Sequence, residues 1–396
     1  MLIVICTNMH QKRYLLKKTL MNNRQETSGI KLYPILVPFA WLYGIGVWIR
    51  NRLFDWNILP TESFDIPVIS VGNISVGGTG KTPHIEHLIR TLSDASFRIA
   101  VLSRGYKRHT RGFRLVSMTS TTTEVGDEPL QIKHKFPTVT VAVDANRRRG
   151  IRKLSERTPD IDIILLDDAY QHRFVTPALS ILLTSYERMI YEDKLLPVGR
   201  LREPIEEKAR ANIVIVTKCP EALKPIDYRL LAKHLNLYPY QNLYFTGLRY
   251  DELKPIFPAE NTEHITTEQL RNEPNDVLLV AGIASPGLFA EYIGKYTPRT
   301  QLWKFGDHHE FSSKDLRKIE DWITASVEKG GRGYVIVTEK DAARLLNCPR
   351  ISSLLKRHLY YLPLHVHFML EQEPAFNNQI KESVIRFQRR VIQKKK

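Results

Sequence analysis

"SVGNISVGGTGKTP", Ser70 to Pro83, sets a glycine cluster before the Gly-Lys-Thr ending of a phosphate-binding loop. Counting back five residues from Gly80 reaches Ser75, so the pattern G-x-x-x-x-G-K-[ST] lacks its first glycine. That position shapes the loop entry and contacts no phosphate through a side chain, which makes it the most dispensable. "IPVISVGN" ahead of the glycines reads as a buried strand, and "HIEHLIRTL" after Pro83 as an amphipathic helix. Strand, glycine loop and helix N-terminus in that order make an anion site. Ser75, Val76, Gly77, Gly78, Thr79, Gly80, Lys81 and Thr82 are therefore the expected nucleotide cradle, with backbone N–H groups closing on a phosphate chain. Lys81 reaches the terminal phosphates, and Thr82 offers its hydroxyl to Mg²⁺. Pro83 is tolerated in a first helical turn.

Such a loop needs an acidic partner at the end of another apolar strand. "IDIILLDDAYQHR" supplies Asp167 and Asp168 there. Neighbours on a strand point to opposite faces, so only one of them faces the metal unless the strand has already broken. A GTPase would also carry [NT]-K-x-D; "VTKCP" has Thr217 and Lys218 but Pro220 in place of the aspartate, which argues against guanine recognition.

Outward from the loop, "RIAVLSR", "TVTVAVD", "LSILLTS" and "ANIVIVTK" are further near-continuous apolar runs separated by helical stretches. Their alternation predicts an α/β fold: a P-loop NTPase-like, doubly wound, mostly parallel sheet over residues 61–236. Residues 237–257 read as an extended strand linker, and 258–396 as a smaller α/β lobe ending in the basic tail "RFQRRVIQKKK". The 396 residues suffice for two such bodies. Cys6, Cys219 and Cys348 show no metal or disulfide spacing and fit a reducing compartment.

A net charge of +16 predicts attraction to an anionic partner. The basic residues are scattered and no aromatic-basic RNA motif or recognition helix is evident, so nucleic acid is not the expected partner. Residues 1–30 are expected to form a poorly ordered extension, with Met21 a second candidate initiator. Residues 31–60 contain the uncharged run Leu32 to Ile49, flanked by Lys31, Arg50 and Arg52. Its prolines and glycines disfavour a straight span. Its aromatics, with arginines behind them, suit a helical segment lying at a membrane surface.

Together "SVGNISVGGTGKTP", "LSRGYKRHTRG", "VGDEPL", "DDAYQHR", "LLPVGRLREP", "AGIASPGLF", "FGDHHEF" and "VTEKD" resemble the tetraacyldisaccharide 4'-kinase family, the lipid A 4'-kinases of Gram-negative bacteria. A serine at position 75 is at home in that family's loop, whereas Ala169 stands where the family usually has glycine and Arg200 where many members have proline. The resemblance implies ATP and Mg²⁺ as cofactors and an acylated glucosamine disaccharide 1-phosphate as acceptor, with lipid IVA as product. It also implies a monotopic seat on the cytoplasmic face of the inner membrane, two α/β/α lobes, and no obligate protein partner.

Asp127 in "VGDEPL" corresponds to the family's proposed catalytic aspartate, and His308 or His309 in "GDHHEF" to its partner from the second lobe, with His309 slightly favoured. Arg104, Arg149 and Arg202 suit bidentate phosphate binding, although a run such as "NRRRG" is also an ordinary solvated face. Glu203, beside Arg202 in "LREP", belongs to a family motif. Asn73, Gln171 and His172, within the quoted motifs, are assigned to the substrate side. Lys340 and Asp341 are expected to orient the closing lobe or to form a structural ion pair. The alternative from a different class is a P-loop ATPase or GTPase switch, which would share the loop and acidic pair but leave the interfacial segment and "GDHHEF" unexplained.

Overall fold

The computed structural model describes residues 34–272, 276–283, 286–307, 309–346, 348 and 350–395. The expected N-terminal extension and His308 lie outside them. Among the described residues, nine strands form one sheet: β1 Val68–Gly72, β2 Ile99–Ser103, β3 Arg114–Leu115, β4 Thr140–Val143, β5 Ile163–Asp167, β6 Leu179–Ser185, β7 Ile213–Thr217, β8 Asn242–Tyr250 and β14 Leu364–Phe368. Their order is β14-β8-β7-β6-β1-β5-β2-β4-β3, with only the edge strands β3 and β14 antiparallel. A second sheet joins β9 Lys254–Pro255, β10 Val277–Ala281, β11 Thr300–Lys304, β12 Tyr334–Thr338 and β13 Leu359–Leu362 in the order β11-β10-β12-β13-β9.

The strand runs are apolar throughout because both faces are covered. In β5, Ile163 and Leu165 face one core with helix α2 (Lys81–Asp94), while Ile164 and Leu166 face another with Ile151 and Leu154. That is the period of two expected of a strand between two helical layers. In the second sheet, Leu278 and Val280 pack with Leu316, Ile319 and Ile323, and Val277 and Leu279 pack with Phe289 and Ile293.

Two boundaries differ from the expectation. The segment 237–257 is more than a linker, because β8 is an interior strand paired with both β7 and β14. The second lobe does not extend to residue 396: β14 and the following helix Glu373–Lys395 return to the first sheet, where Phe376, Ile380 and Val384 enter its core. Pairing at a sheet edge is a long-range contact that local periodicity does not encode.

Helix α1 (Val37–Asp55) lies within the expected membrane-associating segment. Val37, Phe39, Trp41, Leu42, Ile45 and Trp48 are exposed on it, while Ala40, Asn51 and Phe54 are buried. Among the described residues, no helix is long and apolar enough to cross a membrane.

Candidate active site

The chain runs outward on one side of β1 to β2 and β4, returns as β5 beside β1, then continues as β6 on its other side. The glycine loop thus leaves β1 at the topological switch point, where open α/β sheets bind ligands. Val71 of β1 is paired in register with Asp167 of β5, so the loop and the acidic pair emerge together. Gly80, at φ 82°, turns the loop into the N-terminus of α2, a left-handed conformation that a side chain would strain. Val76 N–H donates to Arg200 O (2.7 Å), Thr217 Oγ1 donates to Thr79 O (2.9 Å), and His84 Nδ1 donates to Gly80 O (2.7 Å). Buried His84 continues to Thr246 Oγ1 of β8 at 3.0 Å, and burial lowers its pKa to about 4. The loop is anchored from three sides. Ser75 forms an isolated bridge with Leu201, and Thr79 and Thr82 are buried.

The strand carrying the acidic pair ends at Asp167, and Asp168 takes a left-handed conformation (φ 47°). Asp168, rather than Ala169, adopts it, so the alanine at the family's glycine position fits this turn. The break lets both carboxylates serve one site. Lys81 Nζ lies 3.6 Å from Asp168 Oδ1, and Arg202 Nη1 lies 3.6 Å from Asp168 Oδ2. Asp167 accepts from Ser103 Oγ at 3.2 Å, while its buried Oδ1 has no hydrogen-bond partner. Burial pushes the Asp167 carboxyl up to about 7; Glu128 and Asp168 push the same way, against Lys81 and Arg147. A buried carboxylate with an orphaned oxygen, beside a second, part-exposed carboxylate, is a pair of donors that fits a divalent cation also held by its substrate. Glu128, beside Asp127 in "VGDEPL", adds negative charge near Asp167 and is a contribution that sequence reading passed over, though it stood in the quoted motif.

The arginine run has three different fates. Arg147 is buried and donates to the carbonyls of Asp144 (2.7 Å) and Asp167 (3.1 Å). Arg148 lies over the Phe174 ring at 4.9 Å. Arg149 is held bidentately by Asp144, at 2.8 and 2.7 Å, and so serves a local ion pair in this structure. Arg104 is exposed at the end of β2. His172 sits among Arg147, Arg50, Arg148 and Arg104; burial first, then those charges, lower its pKa to about 4, so its ring is neutral. It lines a cavity of about 320 Å³ with Ala145, Asn146, Arg148 and Phe174.

Asn73 is buried with both side-chain polar atoms unpartnered, and its carbonyl accepts from Gln171 Nε2 at 2.6 Å. Glu203 is buried against Arg210, with Arg50 at 3.9 Å. Helix α1 braces this region: Tyr43 Oη donates to Arg202 O (2.8 Å) and Arg50 Nη2 to Gln171 O (2.8 Å). Phe54 meets Phe174 edge-on at 4.9 Å. These contacts join residues more than a hundred positions apart, and no spacing rule reveals them.

Asp127 opens helix α3 (Asp127–Lys135) after Gly126 at φ 90°. A Cβ at Gly126 would meet Tyr106 O at 3.0 Å, so glycine permits "VGDEPL" to pack on the "SRGYKR" turn. From the second lobe, Arg344 is ion-paired with Asp127 at 2.5 Å. His309, expected as the partner of Asp127, instead has Nε2 3.0 Å from Asp315 Oδ2 within its own lobe and its ring on Phe305, centroids 4.6 Å apart. The physical reason is local: Asp315 sits one turn into the helix Ser313–Glu328, where it also binds Ser312, directly below the histidine.

The family model described as tetraacyldisaccharide-1-P 4'-kinase matches residues 32–385. A tetraacyldisaccharide 4'-kinase of Bacteroides thetaiotaomicron is 50% identical over 89% of this chain and 93% of its own length. One of Flavobacterium johnsoniae is 45% identical over 86% and 94%. The crystal structure of LpxK from Aquifex aeolicus in complex with ATP superposes with a TM-score of 0.67 at 26% identity, covering 89% of this chain and 98% of that one.

Proposed function

The chain belongs to the tetraacyldisaccharide-1-P 4'-kinase family, and we propose that the site at β1 and β5 moves the γ-phosphate of ATP to the 4'-hydroxyl of an acylated glucosamine disaccharide 1-phosphate, giving lipid IVA. One observation carries this assignment of the site: the glycine cradle, Lys81 and the Asp167–Asp168 pair converge where adjacent strands end in register. Lys81 exchanges its contact with Asp168 for the terminal phosphates. Thr82 and Asp167, with Asp168 beside them, would hold Mg²⁺, which would supply positive charge against the transferred phosphoryl group.

Asp127 accepts the proton of the acceptor hydroxyl while that oxygen bonds to the γ-phosphorus, and the bridging oxygen departs with ADP. The second-lobe group on Asp127 is Arg344 and His309 is held by Asp315, so support of Asp127 by a histidine of "GDHHEF" requires that loop to rearrange. Asn73, Gln171, His172, Arg104, Arg202 and Glu203 lie on the acceptor side, where the arginine-rich surroundings of His172 suit a phosphorylated sugar. The exposed apolar face of α1 supports seating on the cytoplasmic face of the inner membrane, which would bring a lipid acceptor to the cleft.

The test supplies labelled ATP, Mg²⁺ and detergent-dispersed disaccharide 1-phosphate. Label should appear in the bis-phosphorylated lipid, and Lys81→Ala should lower turnover by about 10³-fold or more. Unchanged turnover in that variant would remove the site assignment. Rapid ATP hydrolysis without acceptor would instead favour a switch ATPase.

A further inference from the structure

In the second sheet, the loops after β10, β11 and β12 all leave the carboxyl edge, and they carry "AGIASPGLF", "FGDHHEF" and "VTEKD". The helix after β12, α4 (Glu339–Leu346), lies against α3 of the first lobe. Three ion pairs cross that contact: Arg344 with Asp127, Lys340 with Glu128 at 3.2 Å, and Glu339 with Lys135 at 2.5 Å. They are not equivalent. The Lys340 and Glu128 side chains are 26% and 27% exposed, whereas those of Arg344 and Asp127 are 5% and 10% exposed.

Arg344 is built into place. Its Nη1 donates to Asp341 Oδ1 (2.6 Å) and Gly282 O (3.0 Å). Asp341 is fully buried, and its other oxygen accepts from Gly282 N–H (3.0 Å) and Thr338 Oγ1 (2.6 Å). A Cβ at Gly282 would come within 3.1 Å of Arg344 Nη1, so glycine is needed for the guanidinium to pass. Held from behind, the guanidinium turns two donors outward: Nη2 at 2.5 Å and Nε at 3.2 Å, both to Asp127 Oδ2. Arg344 thus aligns the carboxylate through Oδ2.

We propose that Arg344 is a positioning residue for phosphoryl transfer, fixing the Asp127 carboxylate from the opposite lobe so that base and lobe closure are coupled. The inference rests on the reading of Asp127 as the proton acceptor. A base that tilts away when the lobes part cannot take the acceptor proton, which restrains turnover until the cleft is shut around its substrates. Asp341, Thr338 and Gly282 act one step further back by holding Arg344, which gives the "VTEKD" and "AGIASPGLF" motifs a shared purpose.

The test compares Arg344→Met, Arg344→Lys, Glu339→Gln and Asp127→Asn in the full-length protein, with ATP-dependent thermal shifts as the fold control. Arg344→Met should lower kcat by about 10²-fold, the loss expected of a misplaced reacting group, with KM for ATP within about threefold of wild type. Arg344→Lys should recover only in part, to about three- to tenfold below wild type, because a charged donor remains but the planar fork is lost. Glu339→Gln, which breaks a crossing pair outside the site, should keep near-normal kcat. Arg344→Met turning over as fast as wild type, or losing no more than Glu339→Gln, overturns the inference. If Arg344→Met does not fold, Arg344→Lys decides: a reduced kcat at unchanged KM supports positioning, and a kcat equal to wild type overturns it. Activity in Asp127→Asn would refute the base assignment itself and the inference with it, whereas an inactive Asp127→Asn beside a fully active Arg344→Met removes the inference alone.

Discussion

Thr217 at the end of β7 donates its hydroxyl to the carbonyl of Thr79 at 2.9 Å, tying the phosphate loop to a strand two places away in the sheet. The residue that would begin a base-reading motif in a GTPase here braces the loop. Replacing it with valine leaves a buried carbonyl without that donor, at a cost of about 1–3 kcal/mol. Thr217→Val should therefore lower the thermal midpoint and raise KM for ATP several-fold, with a smaller effect on kcat. Steady-state kinetics and calorimetry check this.

The Asp167 carboxyl, raised to about 7, must ionise to hold a cation, so cation binding releases a proton. Apparent Mg²⁺ affinity should rise as pH increases through about 7. Asp167→Asn should flatten that dependence and abolish turnover. Mg²⁺ titrations between pH 6 and 8, read by nucleotide binding as well as by rate, distinguish metal loss from misfolding.

Glu86 is buried between Gln131 and Lys135, and its pKa is raised to about 7 by burial first and Glu339 second, against Lys135 and Arg90. A carboxyl whose folded pKa exceeds its unfolded value contributes fully below the unfolded value and loses that contribution as pH rises through the folded one. Without ligand, stability should fall as pH rises from about 4.5 to about 7, most steeply between those two values, and level off above the folded one. Glu86→Gln removes one ionisation and should make the melting temperature less dependent on pH in that window, leaving the part due to Asp167.

Trp41 and Leu42 are 74% and 67% exposed on α1. Inserting side chains of this kind into a headgroup boundary is worth about 1.5–3 kcal/mol each. The double variant Trp41→Glu, Leu42→Glu should lower partition onto anionic vesicles by at least about tenfold, with less effect on turnover of detergent-dispersed acceptor. Vesicle flotation and the two assays side by side decide it. Equal partition of variant and wild type would remove the membrane role of this helix.

The parallel sheet, the phosphate loop and its acidic pair follow from local pattern alone. Each is written in contiguous residues: an apolar run covered on two faces, glycines between strand and helix, carboxylates directly after a strand. The same local code left the arginine run undivided, because only packing separates buried Arg147 from ion-paired Arg149. Tertiary structure alone returned β14 to the first sheet, kept His309 on Asp315 and carried Arg344 across 217 positions to Asp127. Such contacts arise when distant elements close on one another, and their energies depend on burial and geometry that no spacing along the chain specifies.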